Sequence, residues 1–299
     1  MATTNTTLPS LKSFLTFATG LLAQLPFSTT SEAVARVHTH PATDSIRSPF
    51  AHAPSCPVDG PVSCHNNTAA GDSCCFIYPG GQLLSTQFWD TSPAIGPADS
   101  WTLHGLWPDH CDGTYPTFCN SAPIYKNITA ILTAAGQTSL LATMNEYWLP
   151  NRGSTENFWE HEWNKHGTCV NTLAPACYGD SYKVGDEVVD FFTRAVDVFR
   201  GLDTFKALQE AGIVPSTSRR YTADQIQSAL LKVTGSEVVL GCYRGQLNQA
   251  WYSFNVKGSL QTGGFVATAP AGKGGRGTCP RRGIRYLPKN IRSKEQIDL

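Results

Sequence analysis

An α+β domain, an antiparallel β-sheet flanked by helices and stapled by disulfides, is the architecture predicted by this sequence of 299 residues. Three observations lead there. Segments with helical spacing and segments rich in aromatic and β-branched residues succeed one another without the regular βαβ rhythm of a parallel sheet. The ten cysteines, at 56, 64, 74, 75, 111, 119, 169, 177, 242 and 279, include no CxxC pair. That spacing speaks against a structural zinc site and for a disulfide framework made in an oxidising compartment. Finally, 41% of the residues are hydrophobic and no linker-like gap separates the first cysteine from the last, so residues 56–279 can bury one core as a single domain.

The elements follow in order. Residues 1–33 carry Lys12, the moderately apolar run "FLTFATGLLAQL" and small residues near "SEAVA", the pattern of a secretory signal peptide. Residues 34–55 are rich in Ser, Thr, Pro, Ala and His without a period and are expected to be a flexible lead or propeptide. Strands are expected around 76–90 and 100–107, where aromatic and β-branched residues gather between glycine-containing turns. Helices follow at 128–148, 155–167 and 185–211, the last with Val188, Val189, Phe192, Ala195, Val196 and Phe199 at helical spacing. Thr222 and Gln225 form a capping-box pattern that opens a short helix ending near Gly235. Two more strands are expected at 237–244 and 249–257. Residues 280–299, basic and poor in small apolar residues, read as a loose C-terminal tail.

Charge bounds the partners. The chain has 23 basic and 23 acidic residues, so the molecule as a whole has no field for capturing polyanions. From Lys273 onward, however, eight basic residues face only Glu295 and Asp298. A nucleic-acid partner would have to be held by local contacts and by this basic end. No apolar run is long enough to span a bilayer stably. In a secreted chain, Asn66 and Asn127 would be usable glycosylation acceptors.

Two stretches carry the chemistry. "FWEHEWNKHGTC", residues 158–169, holds two histidines, two glutamates, a lysine and two tryptophans. A zinc protease motif needs histidines four apart on a helix; His161 and His166 are five apart, about 140° around the axis, and would face different sides. No metal and no cofactor is therefore expected. Glu162 lies four before His166, as His161 does before Lys165, and such pairs share a helix face. A carboxylate against an imidazole would raise its pKa, which suits a group that exchanges protons at mildly acidic pH. A surface helix with ordinary ion pairs is the bland alternative, but Phe158, Trp159 and Trp163 bring too much apolar area to stay in water. In the second stretch, "WTLHGLWPD" (101–109), strand alternation puts Trp101 and Leu103 on one side and His104 on the other, with Gly105 leaving space beside it. Two imidazoles and a cation are what metal-free transesterification at phosphorus requires: one ring takes a proton from the attacking hydroxyl and the other gives one to the leaving oxygen.

At these two stretches the sequence resembles the ribonuclease T2 family of secreted or vacuolar acid ribonucleases, whose active-site segments are of the "HGLWP" and "FWEHEWNKHGTC" types. The resemblance covers about residues 56–279. It implies cleavage of single-stranded RNA through a 2′,3′-cyclic phosphate, without metal, with weak base preference and an acidic optimum. His104, Glu162 and His166 match the catalytic residues, with His166 the expected base and His104 the expected acid. His161 and Lys165 match groups that bind the phosphate and stabilise the pentacoordinate phosphorane. Trp107, Asp109 and Tyr115 match the first base pocket, and Gln87 and Phe158 the second. The same resemblance pairs Cys56 with Cys75, Cys64 with Cys111, Cys74 with Cys177, Cys119 with Cys169, and Cys242 with Cys279. It further implies a monomer in the secretory pathway, outside the cell or in a vacuole or lysosome-like compartment, with no action on DNA, which lacks the 2′-hydroxyl nucleophile. A catalytically silent RNA-binding or recognition module on the same fold is the rival reading. The intact histidines and Glu162 speak against it.

Overall fold

Residues buried at most positions form two neighbouring antiparallel strands, β1 (Gln82–Phe88) and β2 (Thr102–Asp109), with β2 at the edge of a five-stranded sheet and β1 inside it. The computed structural model describes residues 48–65, 73–272 and 277–289. β3 (Val239–Tyr243), β4 (Gln246–Lys257) and β5 (Gly264–Ala267) complete the sheet in the order β2-β1-β4-β3, with β5 beside β3 on the far edge of β4. Every pairing between these strands is antiparallel. The fifth strand was not expected from sequence; four residues are too few for alternation to register.

The helices form where spacing predicted them, but two of the three long segments are divided. The 128–148 stretch gives α1 (Ile128–Ala134) and α2 (Thr138–Tyr147), separated at Gly136, whose φ of 72° is open to glycine at little cost. The 185–211 stretch gives α4 (Asp186–Arg200) and α5 (Thr204–Glu210), the second started by Asp203, whose side chain accepts from the Lys206 amide. Between them in sequence, α3 (Thr155–Lys165) is capped by Ser154, which accepts from the Asn157 amide. In α6 (Ala223–Thr234) the Thr222/Gln225 capping box is present and Gly235 ends the helix in the left-handed conformation. α4 is buried almost all round although it is not apolar all round. Besides its valines and phenylalanines it buries Asp186, Glu187, Asp190 and Arg194, with Glu187 accepting from the Tyr125 hydroxyl, Asp190 from the Tyr178 hydroxyl and Arg194 donating to the Leu260 carbonyl. It packs on β1 and β2 and joins Trp148, Trp159 and Trp163 in the core.

All five disulfides pair as the resemblance implied: Cys56–Cys75, Cys64–Cys111, Cys74–Cys177, Cys119–Cys169 and Cys242–Cys279. No helix among the described residues is long and apolar enough to cross a membrane.

Both ends of the domain differ from expectation. The stretch read as a flexible lead is packed from Pro49 onward. The Phe50 amide donates to Asp190 Oδ1 at 2.8 Å, His52 Nδ1 lies 2.8 Å from Asp186 Oδ2, and the Arg194 guanidinium sits over the Phe50 ring. The stretch read as a loose tail is held as far as Lys289. Ile284 and Tyr286 are fully buried, Ile284 exchanges backbone hydrogen bonds with Tyr221, and the Lys289 ammonium donates to the carbonyls of Pro97 and Ser100. Single apolar residues at irregular spacing carry no periodic signal, which is why these attachments were not visible. The expected signal peptide (1–33) and Asn66 lie outside the described residues.

The Cys119–Cys169 bond closes a separation of 50 residues and ties the end of the second motif to the segment after the first. Replacing both cysteines by serine is expected to lower stability by about 3–5 kcal/mol, because a loop of this length greatly enlarges the unfolded ensemble. Urea denaturation of the double variant checks this; an unchanged midpoint would contradict it.

Candidate active site

His104 owes its position to an irregularity in β2. Thr86 pairs with Gly105 and Gln87 with Leu103, so His104 is the extra residue of a bulge. The bulge flips strand parity. Leu103 and Leu106 both enter the core, while His104 and Trp107, three apart, come to one face with their rings 5.6 Å apart, edge to face. An unbroken strand would have placed them on opposite sides. The His104 backbone is fixed from below, its carbonyl accepting from the Trp148 indole at 2.7 Å, and the Trp148 carbonyl accepts in turn from the Trp159 indole of α3. The two motifs are thus locked together through buried tryptophans.

In α3, Trp159 and Trp163 face the core, which turns Glu162 towards β2, where it is fully buried. The Trp107 indole N–H donates to Glu162 Oε2 at 2.9 Å. Glu162 Oε1 has no hydrogen-bond partner and lies 3.7 Å from His104 Nε2, too far for a good hydrogen bond. Gly105 makes the approach possible, since a Cβ there would collide with both the carboxylate and the indole.

His166 departs from the angular argument. It is the C-cap of α3, and the next residues form a 3₁₀ turn (Gly167–Cys169), so 100° per residue no longer applies beyond Lys165. The rings of His161 and His166 come within 6.2 Å. One ligand-type atom each from His161, Glu162 and His166 lies within 4.8 Å of the others. The expectation that these histidines face different sides is therefore corrected, and geometry alone gives no ground against a metal here. His166 also stacks on Trp107, with ring centroids 5.0 Å apart and planes 19° apart.

The remaining residues divide. Phe158 meets His104 edge-on at 5.0 Å. Gln87 does not belong to the site: it is fully buried on the other face of β1, donating to the Leu202 carbonyl at 2.9 Å and accepting from the Thr204 hydroxyl at 2.6 Å. Its neighbour Phe88 takes that place, stacked on the His104 ring at 4.0 Å. Only the strand's facing distinguishes the two, and the bulge hides it in sequence. Trp107, expected in a base pocket, is engaged with Glu162 and His166 and meets Trp251 of β4 edge-to-face at 5.4 Å. Asp109 ends β2, two residues on, and its carboxyl has no hydrogen-bond partner among the described residues. Tyr115 is 67% exposed. His161 is exposed and Lys165 half-buried.

Burial governs the electrostatics. The Glu162 carboxyl is pushed up to about 8 by desolvation, against the opposing effects of the Trp107 hydrogen bond and the Lys165 charge. His104 and His166 are pulled well below the ordinary histidine value, first by desolvation and then by neighbouring charges, among them Lys165 and His161. The expected carboxylate-raised imidazole is thus absent: a neutral carboxylic acid has no charge to offer. Burial also lifts Asp109 to about 7. The arrangement supplies two neutral imidazoles, a carboxylic acid whose Oε1 is unengaged, and a cation, around one indole.

Comparison with known proteins agrees with this chemistry. Residues 80–262 match the model of the ribonuclease T2 family. The chain is 52% identical over 241 residues to ribonuclease T2 of Aspergillus oryzae, covering 79% of this chain and 84% of that protein. To ribonuclease Trv of Hypocrea rufa it is 54% identical over 235 residues, covering 79% and 98%. Among solved structures, the crystal structure of Actibind, a T2 ribonuclease, superposes with a TM-score of 0.74 at 49% identity, covering 79% of this chain and 98% of that one.

The raised Glu162 value has a sign that can be tested. Between about pH 4.5 and pH 8 the folded protein holds a proton that the unfolded chain has lost, so this group's contribution to stability is present at low pH and is lost as pH rises. Glu162→Gln removes the titration. The melting temperature of the variant relative to wild type should climb from pH 5 to pH 8, by at most about 1.4 kcal/mol of stability per pH unit. A difference independent of pH would show that Glu162 is ionised in the fold.

Proposed function

The chain belongs to the ribonuclease T2 family and is a T2-type endoribonuclease, and we propose that it cleaves single-stranded RNA by metal-independent transesterification through 2′,3′-cyclic phosphates, with low base specificity. The observation that carries the reading is that His104 and His166 pack against the same indole beside one buried carboxyl. A phosphodiester seated there meets a proton acceptor on one side and a proton donor on the other.

The ribose 2′-hydroxyl is already next to phosphorus, so no external nucleophile is required. His166, neutral, takes its proton as the P–O bond forms. His104 must enter as the imidazolium, a form favoured by acidic pH and by the negative charge of the arriving phosphodiester, and delivers its proton to the departing 5′-oxygen. Lys165 and His161 offset the charge that grows on the phosphoryl oxygens. Glu162, neutral below about pH 8, can donate a hydrogen bond from its carboxyl to one of those oxygens. Attack of water on the cyclic phosphate reverses the two histidine roles. Both imidazoles titrate below the ordinary 6.5, so both limbs of the kcat/KM profile fall on the acidic side, which supports an acidic optimum.

For the bases, we assign Trp107, Asp109 and Tyr115 to the first pocket and, from their ring contacts with His104, Phe158 with Phe88 to the second. A carboxyl protonated at acidic pH offers both a donor and an acceptor, which fits tolerance of several bases. Stacking on aromatic rings requires unpaired bases and so favours single strands. DNA, lacking the nucleophile, is inert in this scheme. We place the enzyme, a monomer, in the secretory pathway, outside the cell or in a vacuole, a setting that suits five disulfides and Asn127, exposed at the start of α1, as a glycan acceptor.

His104→Phe and His166→Phe should each fold and each lose at least about 10²-fold in turnover of the dinucleotide UpU. Mass analysis of the wild-type reaction in EDTA should show the cyclic phosphate. Activity that disappears in EDTA, or a variant retaining more than about a tenth of the wild-type rate, would contradict the scheme.

A further inference from the structure

Six arginines gather at one end of the sheet although the chain as a whole is neutral. Three segments bring them together. The β3–β4 turn supplies Arg244, next to Tyr243. The loop before α6 supplies Arg219 and Arg220. The chain after Cys279 supplies Arg281, Arg282 and Arg285. The Cys242–Cys279 bond pins this last segment to β3. Backbone hydrogen bonds then bind it to both other segments, from Ala223 to the Arg281 carbonyl, between Tyr221 and Ile284, and between Gly245, Leu247 and Arg285.

Five of these arginines are exposed and Arg285 is half-buried. Among the described residues none forms an ion pair with a carboxylate, including Asp224, whose neighbour Ala223 bonds to Arg281. Beside them Tyr243 is 65% exposed, and the Arg244 guanidinium lies 5.3 Å from its ring centroid. An unpaired guanidinium cluster next to an exposed aromatic ring matches the needs of single-stranded nucleic acid, which presents phosphates in series and bases that stack.

The β3–β4 turn is also close to the active site along β4. Phe88, stacked on His104, pairs with Gln249 of β4, and the turn begins three residues away along that strand, about 10 Å. We propose that this arginine surface, with Tyr243, holds the phosphate backbone of single-stranded RNA that extends past the second base, beyond the dinucleotide that is cut. The proposal rests on the ribonuclease reading above.

The test compares substrates of two lengths, UpU and an unstructured oligoribonucleotide of about twenty residues, for wild type and for R219Q/R281Q/R282Q. In wild type, kcat/KM for the long substrate should fall steeply with salt, since each neutralised phosphate of a single strand contributes about 0.7 to the logarithmic slope. In the variant that slope should flatten by about 2 and KM for the long substrate should rise about tenfold at low salt. UpU cleavage should stay within about twofold of wild type, which also shows that the variant is folded. Tyr243→Ala should raise KM for the long substrate and leave UpU unaffected. Equal salt slopes for the two substrates in wild type, or an unchanged slope in the variant, would overturn the proposal. So would a variant that loses heparin binding while cleaving long RNA normally, since the surface would then serve an anionic glycan. Failure of wild type to cleave UpU at all would instead overturn the ribonuclease reading.

Discussion

One indole organises the reactive centre. Trp107 donates its N–H to Glu162, lies flat against His166 and meets His104 with its edge, so three groups from two distant stretches of chain share one neighbour. That convergence depends on backbone features of β2. The bulge at His104 brings positions 104 and 107 to the same face, and Gly105 lets the carboxyl of Glu162 come in over the strand. A regular strand, or any side chain at 105, would separate the residues that must act together.

Burial gives this cluster its chemical character. In water a carboxyl, a lysine and three histidines at close range would exchange charge freely. Here desolvation favours neutral forms, lifting Glu162 and lowering His104 and His166. Proton transfer between neutral or singly charged partners then needs little reorganisation, and the arriving phosphodiester brings the negative charge that the site lacks. The neutrality of the whole molecule fits the same picture, because the cleft engages one phosphate with Lys165 as its cation, and capture of long RNA is what we propose for the arginine surface.

Much of this was legible in the sequence. The two motifs and the Thr222/Gln225 cap are local signals, and the cap appears in the fold where it was read; the disulfide pairing, which joins distant positions, was implied only by the family resemblance that the motifs carry. What escaped reading depends on interruptions of regular geometry. His161 and His166 approach because the helix ends between them, which a fixed angle per residue cannot anticipate. Phe88 replaces Gln87 beside His104 because facing is decided across the sheet, opposite a bulge. The lead and the tail are attached by single residues such as Phe50, Ile284 and Lys289, whose partners lie more than sixty positions away and leave no periodic trace. The lowered histidine values follow from burial around the site, a property that spacing between a glutamate and a histidine does not encode.

The most direct test of the organising role of Trp107 is the kinetics of Trp107→Phe on UpU, with KM and kcat separated across pH. Phenylalanine keeps an aromatic ring beside His166 and removes the donor to Glu162 together with one ring of the indole. Turnover should fall about tenfold or more, the value of a hydrogen bond to a reactive carboxyl, in a variant that remains folded at the assay temperature despite the lost ring packing. Wild-type turnover with an unaltered pH profile would show that the indole N–H does not position the carboxyl, and the account of the site built on that contact would be wrong.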